Sequence, residues 1–397
     1  MDYLNLLQLL FAAVIAFGLV YKVVPVLVRI AYHLNFYDRP DGERKLHTRY
    51  ISSLGGVAIF LAFLVGFAVT GYADQITGFV YLLVALVMLF FIGLQDDLMG
   101  LSPNKKLGVE LFASGMIILG CQVFISNFNG ILGIGEIPLY IGIPLTLFIM
   151  IGITNAYNLI DGIDGLAGGI GVIASLFFAI GFTIAGSTAL AVLSFITAIT
   201  LIGFLVHNFS PASIFMGDTG SLVVGMLLAF LSIQFINLHQ VSEFQAAFGA
   251  GATLLPVAFL AVPLYDTLTV VLKRIINKKS PFKAGRDHIH HDLLGIGFNH
   301  KQATLILCAG TVLISIFALA LSHLNINLLL LAIILSAVLT LPTFGFKRAL
   351  AKRLIGLDLQ QYFRIKKAAE KPDESTDSMK DNEELVLKLA GKEKEVA

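Results

Sequence analysis

Asn155-Ala-Tyr-Asn158-Leu-Ile-Asp161-Gly-Ile-Asp164-Gly-Leu-Ala-Gly-Gly169 sets two amides, two carboxylates and four glycines between the apolar runs Ile137–Ile153 and Ile170–Ile184. Carboxylates at membrane depth are costly unless they are paired, hydrated or bound to a cation, so the stretch calls for a functional explanation. The rest of the chain makes this a membrane question. Of its 397 residues 57% are hydrophobic and 13% charged, against roughly 25% charged in a soluble domain. Mean hydropathy is +0.86.

Working outward, eleven apolar runs are long enough to span a bilayer as helices. They cover Leu4–Ile30, Ile51–Thr70, Gly78–Leu94, Leu107–Ile125, Ile137–Ile153, Ile163–Ala185, Ala189–Val206, Ser221–Ile236, Ala247–Leu272, Ala303–Leu321 and Ile326–Phe344. None alternates strictly as a barrel strand would, so the expected fold is an all-α polytopic membrane protein of about eleven spans. The first run lacks a basic start and a small-residue cleavage site, and is expected to remain as a span. Cys121 and Cys308 both fall inside apolar runs and suggest neither a disulfide framework nor a thiolate metal site.

The 27 Lys and Arg residues orient the chain. With the N-terminus outside, every one falls on one side: four in 32–50, Lys105 and Lys106, seven in 273–301, twelve after Phe346, and Lys22 and Arg29 in the inner half of the first helix. The opposite loops carry Asp2, Asp74, Glu136 and Glu243 instead. The positive-inside rule makes the basic side cytoplasmic. Residues 1–346 are then a transmembrane domain with cytoplasmic loops near 32–50, 95–106, 154–162, 207–220 and 273–302, and residues 347–397 a mixed-charge cytoplasmic tail.

That topology gathers the polar motifs. Asp96-Asp97 closes the third span, Asn155 to Asp164 joins the fifth to the sixth, Asn208 to Ser221 joins the seventh to the eighth, and Arg286-Asp-His288-Ile-His290-His291 precedes the tenth. All four lie on the cytoplasmic side, so one shared site built from helix ends is the economical reading. Five carboxylates, Asp96, Asp97, Asp161, Asp164 and Asp218, are hard oxygen donors suited to Mg²⁺ or Mn²⁺ rather than zinc. Such a cation commonly completes its shell with substrate phosphate. The glycines after Asp161 and Asp218 let backbone approach a ligand and expose helix N-termini, which favour phosphate. The set reads as phosphoryl transfer at a membrane surface, with no feature calling for a nucleic acid. Blander roles exist for the pieces: Gly162, Gly165, Gly168 and Gly169 suit close helix packing, and Lys106 and Glu110, four apart, suit a helix-surface pair.

These motifs resemble, in order and in register, the polyprenyl-phosphate N-acetylhexosamine-1-phosphate transferases: Asp96-Asp97 after Phe-Ile-Gly-Leu-Gln, the Asn155–Ala167 signature, Phe215-Met-Gly-Asp218-Thr-Gly-Ser221 and His288-Ile-His290-His291. The resemblance covers the chain from the first span to about Phe344. It implies that undecaprenyl phosphate attacks the β-phosphorus of a UDP-N-acetylhexosamine, giving a lipid-linked sugar diphosphate and UMP at a bacterial inner membrane and so initiating a cell-envelope glycan. By the same resemblance Asp218, Asn158 and Asp97 hold Mg²⁺, and Asp96, Asp97 and Asp161 are catalytic, with Asp96 meeting the lipid phosphate. Phe215 would stack uracil and Asn155 and Asp164 would shape the nucleotide pocket. Lys106, Arg286, His288, His290 and His291 would contact phosphate or sugar, and Arg44, Lys45 and His47 the lipid phosphate. Where the family often has a proline before a Gly-Gly pair, this chain has Ser52-Ser53-Leu54-Gly55-Gly56.

The His-Ile-His-His form favours UDP-GlcNAc, with UDP-GalNAc, a deoxy-aminosugar or UDP-MurNAc-pentapeptide as alternative donors. A homodimer stays open. The rival class is an ion-coupled transporter, whose signs are discontinuous helices, an inverted repeat and polar groups at mid-membrane. No repeat is visible, and the polar clusters lie at one face.

Overall fold

The computed structural model describes residues 3–34, 51–276 and 288–340. Among these the chain forms fourteen α-helices. They are α1 (Tyr3–His33), α2 (Gly55–Val69), α3 (Phe79–Met99), α4 (Pro103–Gly120), α5 (Leu139–Leu159), α6 (Leu166–Ile184), α7 (Thr188–Asn208), α8 (Gly217–Ile236), α9 (Ser242–Phe248), α10 (Leu255–Phe259), α11 (Ala261–Ile276), α12 (Ile289–Ile296), α13 (His300–Ala320) and α14 (Ile326–Thr340). Seven are long and apolar enough to cross a membrane: α1, α3, α5, α6, α7, α8 and α13. The bent pair of α10 and α11 can supply an eighth, and α2 and α14 are apolar but shorter. The protein is an all-α, polytopic integral membrane protein.

The ninth apolar run differs from its expected form. Instead of one helix from Ala247 to Leu272, the chain breaks at Leu260 and turns by 74° between α10 and α11. Pro263 lies in the first turn of α11 and has no N–H, so a helix continued through Leu260 would lose its bond to the Phe259 carbonyl. Among the described residues it is the one bent pair, without the counterpart that an inverted repeat would require.

α8 is the axis of the bundle. It is apolar all round, and every residue from Thr219 to Ile233 is buried, as the sequence of a helix surrounded by others should be. It packs against α2, α3, α5 and α6, while α1 and α7 close over α2 and α4 lies along α3 and α5. Glycines bring α8 unusually close to two neighbours. A Cβ on Gly93 of α3 would lie 2.6 Å from the Asp218 carbonyl oxygen and 2.6 Å from Thr219 Cα. One on Gly56 of α2 would strike the Gly220 backbone. With no side chain between them, the backbones of α2 and α3 fix where the N-terminus of α8 stands. The C-termini of α3, α5 and α7 and the N-termini of α4, α6 and α8 meet at this same end.

Candidate active site

The site grows from the N-terminus of α8. A helix start leaves amide groups without intrahelical partners and carries a partial positive charge. Here the cap comes from another helix. Asp97, in the last turn of α3, accepts from the Asp218 amide at 2.8 Å, the Thr219 amide at 2.9 Å and the Thr219 hydroxyl at 2.5 Å. The N-terminus expected to receive phosphate is therefore already held by a carboxylate. The backbone before it is also tied down. Phe215 N–H donates to Ser52 O at 2.8 Å, and Gly55 and Gly56 N–H donate to Phe215 O and Met216 O at 3.0 and 2.9 Å. The Ser52–Gly56 loop, where the family's proline is missing, thus forms the wall behind Asp218.

Asp218 projects from this anchored turn into a ring of polar groups. Its Oδ2 is paired with the Lys106 ammonium, which also reaches Asp96 Oδ2 at 3.5 Å. Its Oδ1 accepts from Asn158 Nδ2 at 2.7 Å, and the same Nδ2 donates to Ser221 Oγ at 2.7 Å. With its two donors committed, Asn158 keeps Oδ1 as an acceptor. Asp96 Oδ1 accepts from the Leu101 amide at 2.5 Å, fixing the turn between α3 and α4 that carries Lys106. Lys106 thus does not form the expected surface pair with Glu110. Glu110 is instead buried, at 1% exposure, and accepts from Asn155 Nδ2.

Asp161 stands outside the helices beside the same cluster. Burial, then the nearby Asp218 and Asp97 carboxylates, push its carboxyl up to about 7, with the Gly217 amide opposing. Such crowding of carboxylates is what a hard cation relieves. The donor set fits a divalent ion of the magnesium type: Asp218, the free Oδ1 of Asn158 and a remaining lone pair of Asp97 Oδ1 are hard oxygens. No group of three or more His, Cys, Asp or Glu among the described residues forms a complete cage, so water and substrate phosphate would fill the remaining positions.

The other expected site residues fall into two neighbouring groups. Asp164 faces α7 and α13: its Oδ2 accepts from the Ala212 amide at 3.1 Å and its Oδ1 lies 3.2 Å from His300 Nδ1. Burial alone would raise its pKa, but these partners outweigh burial and hold it below the usual carboxylate value. Its folded-state pKa being depressed, it stabilises the fold above pH about 4 and stops doing so as pH falls. Asp164→Asn is therefore expected to lower stability by about 1–3 kcal/mol at pH 7, with the gap to wild type closing as pH drops through about 4. Thermal unfolding in detergent across pH 3.5–8 measures this; a gap that does not change with pH would contradict it.

His290 is buried at 2% exposure, and its ring sits where a Cβ on Gly162 would be. Burial, then His291, His288 and His300, push its pKa well below the usual histidine range, so it is neutral. This contact brings the His288–His291 segment against the Asp161-Gly162 loop. Gly165 (φ +75°), Gly168 and Gly169 meet Phe209, Leu205 and Cys308, so close packing and the site coexist in this stretch. Phe215 is half-buried. Arg44, Lys45, His47 and Arg286, with the tail from 347, lie outside the described residues. Sequence reasoning missed Glu110 as the partner of Asn155, Thr219, Asp266 and His300. An acid inside an apolar run was the available signal for Asp266.

An all-helical membrane bundle with carboxylates, amides and a lysine converging at one end defines a membrane-embedded enzyme built for anionic substrates. A family model described as glycosyl transferase family 4 matches residues 79–236. The Bacillus subtilis (strain 168) protein named "Probable undecaprenyl-phosphate N-acetylglucosaminyl 1-phosphate transferase" is 31% identical over 331 residues, 83% of this chain and 89% of that protein. The decaprenyl-phosphate N-acetylglucosaminephosphotransferase of Mycobacterium tuberculosis (strain ATCC 25618 / H37Rv) is 34% identical over 289 residues, covering 67% and 70%. The undecaprenyl-phosphate alpha-N-acetylglucosaminyl 1-phosphate transferase of Escherichia coli (strain K12) is 29% identical over 302 residues, covering 74% and 78%. The chain belongs to this family of phospho-sugar transferases.

Proposed function

We propose that the protein transfers N-acetylglucosamine 1-phosphate from UDP-GlcNAc to undecaprenyl phosphate with Mg²⁺ bound, in a bacterial inner membrane with the site on the cytoplasmic side. The observation that carries this reading is the Asp96–Lys106–Asp218–Asn158 cluster at one end of the bundle. The names of the relatives support the acceptor and the sugar, and the one-sided distribution of Lys and Arg supports the orientation.

In the reaction an oxygen of the lipid phosphate bonds to the β-phosphorus of the donor. The bond from that phosphorus to the bridging oxygen breaks, and UMP leaves with that oxygen. Asp218 and Asn158 Oδ1 would hold the cation, with Asp97 Oδ1 beside them. A cation there supplies charge neutralisation to the diphosphate. Lys106 meets the diphosphate, and Asp96 orients the lipid phosphate. That acceptor has a second pKa near 6, as phosphate monoesters do, and is mostly dianionic at neutral pH. Positioning and charge neutralisation therefore contribute more than proton removal. Asp161 borders the diphosphate, Asn155 and Phe215 the nucleotide, and His288, His290 and His291, with Arg286, the phosphate and sugar. Lys45 and His47 meet the lipid phosphate.

Transfer of label from UDP-GlcNAc into an undecaprenyl lipid, with release of UMP, tests the proposal. It should require Mg²⁺ or Mn²⁺ and stop with chelator; absence of transfer from UDP-GlcNAc would overturn it, and transfer from UDP-GalNAc alone would change the donor. Asp96→Asn is expected to leave UDP-sugar binding within about 2-fold while transfer falls about 10²-fold, because the lost charge acts only where the acceptor arrives. Calorimetric binding beside product formation separates the two, and a parallel loss of both would contradict this role.

A further inference from the structure

Asp266 sits in the second turn of α11, just beyond the break at Leu260, and is 1% exposed. Both its oxygens are used on a segment 22 residues further along the chain. Oδ2 is 2.8 Å from His288 Nδ1, and Oδ1 accepts from the Ile289 amide at 2.8 Å, at the start of α12. The His288 ring lies parallel to that of His290, with centroids 5.6 Å apart and planes 6° apart, and His290 rests on Gly162.

We infer that Asp266 is a positioning residue that keeps His288 protonated on Nδ1, so that the ring presents Nε2 as its acceptor to the reacting phosphates. This rests on the reading above that the His288–His291 segment faces the substrate phosphates. The argument is one of donors and acceptors. The Ile289 amide can only donate, which orients the carboxyl group, and an ionised carboxylate has no proton to give back. Nδ1 must therefore carry the proton. Nε2 has no hydrogen-bond partner among the described residues and is not enclosed. A fixed tautomer and ring orientation are what a carboxylate behind a working histidine provides.

A simple helix cap would make a different prediction. Asp266→Asn keeps an oxygen for the Ile289 amide, so the cap survives. Its NH₂ then faces His288 Nδ1 and drives the ring proton to Nε2.

The test uses the full-length protein in lipid nanodiscs with ¹⁵N-labelled histidine, His288→Asn identifying the His288 signals. The wild type should show a protonated Nδ1 and an unprotonated Nε2, and Asp266→Asn the reverse. Turnover should fall about 10–100-fold, with KM for UDP-GlcNAc changing by less than about 3-fold. Asp266→Asn combined with His288→Asn should be no slower than His288→Asn alone. A wild-type His288 protonated on Nε2, or an Asp266→Asn protein with unchanged turnover, would overturn the inference. The wild-type spectrum decides the tautomer even if the Asn variant fails to fold. A wild type that transfers no sugar phosphate fails the transferase reading while leaving the tautomer result standing.

Discussion

Asp218→Asn is expected to lower transfer about 10³-fold at saturating substrates, with UMP release and lipid-linked product falling together. The side chain is the junction of the cluster: its two oxygens answer to Lys106 and to Asn158, and its backbone amide is held by Asp97. Replacing one oxygen by NH₂ sets a donor against a donor, either the Lys106 ammonium or Asn158 Nδ2. Rotating Asn158 to relieve the second clash would turn its amide nitrogen toward the ligand side and withdraw the free Oδ1. Two hard donors are thus lost by one substitution. The fold should change little, because the anchoring bond of this residue is made by its amide. Raising Mg²⁺ should recover a fraction of the activity if the lost affinity is for the cation. Turnover within a few-fold of wild type would remove Asp218 from the proposed centre.

Asp97→Ala is expected to act through the fold as well as the chemistry. It removes the acceptor for two amides and a hydroxyl and the negative charge opposite a helix N-terminus. Leaving the buried Thr219 amide unsatisfied should cost about 2–4 kcal/mol, the range for lost charged hydrogen bonds and a lost cap. Because the same turn carries Asp218, transfer should fall about 10²-fold or more. Asp97→Asn retains one acceptor oxygen and should fall between the two. Thermal unfolding measured beside turnover distinguishes this residue from Asp218, which should lose activity with little loss of stability. An Asp97→Ala protein with an unchanged unfolding midpoint would show that the α8 turn stands without its cap.

Asp96, Asp97, Asn158, Asp161 and Asp218 were visible in the sequence because each breaks or ends an apolar run, and charge inside a membrane protein stands out against its background. Their convergence followed from counting Lys and Arg, without any contact in view. What the pattern could not carry was direction. Lys106 and Glu110, four apart on one helix, read as partners; in the structure they part, one to Asp218 and Asp96, the other to Asn155. Asp97 read as a ligand of substrate or metal, and its three bonds to the start of α8 depend on how two helices cross. Asp266 was passed over because one acid in a long apolar run can be tolerated at a helix end. Its meaning comes from a bend of 74° and from the return of the chain to Ile289, neither of which has a local signature.

The glycine contacts of α8 with α2 and α3 carry a consequence for how such a protein can diversify. Backbone laid against backbone leaves no room for even a methyl group, so the floor under Asp218 is close to immutable in shape. A change of sugar, which may be no more than one inverted hydroxyl, must then be met elsewhere. The rim formed by 209–213 and 288–291 rests on side chains that can be exchanged without moving that floor. The molecule thus separates a conserved reaction bed from a replaceable mouth.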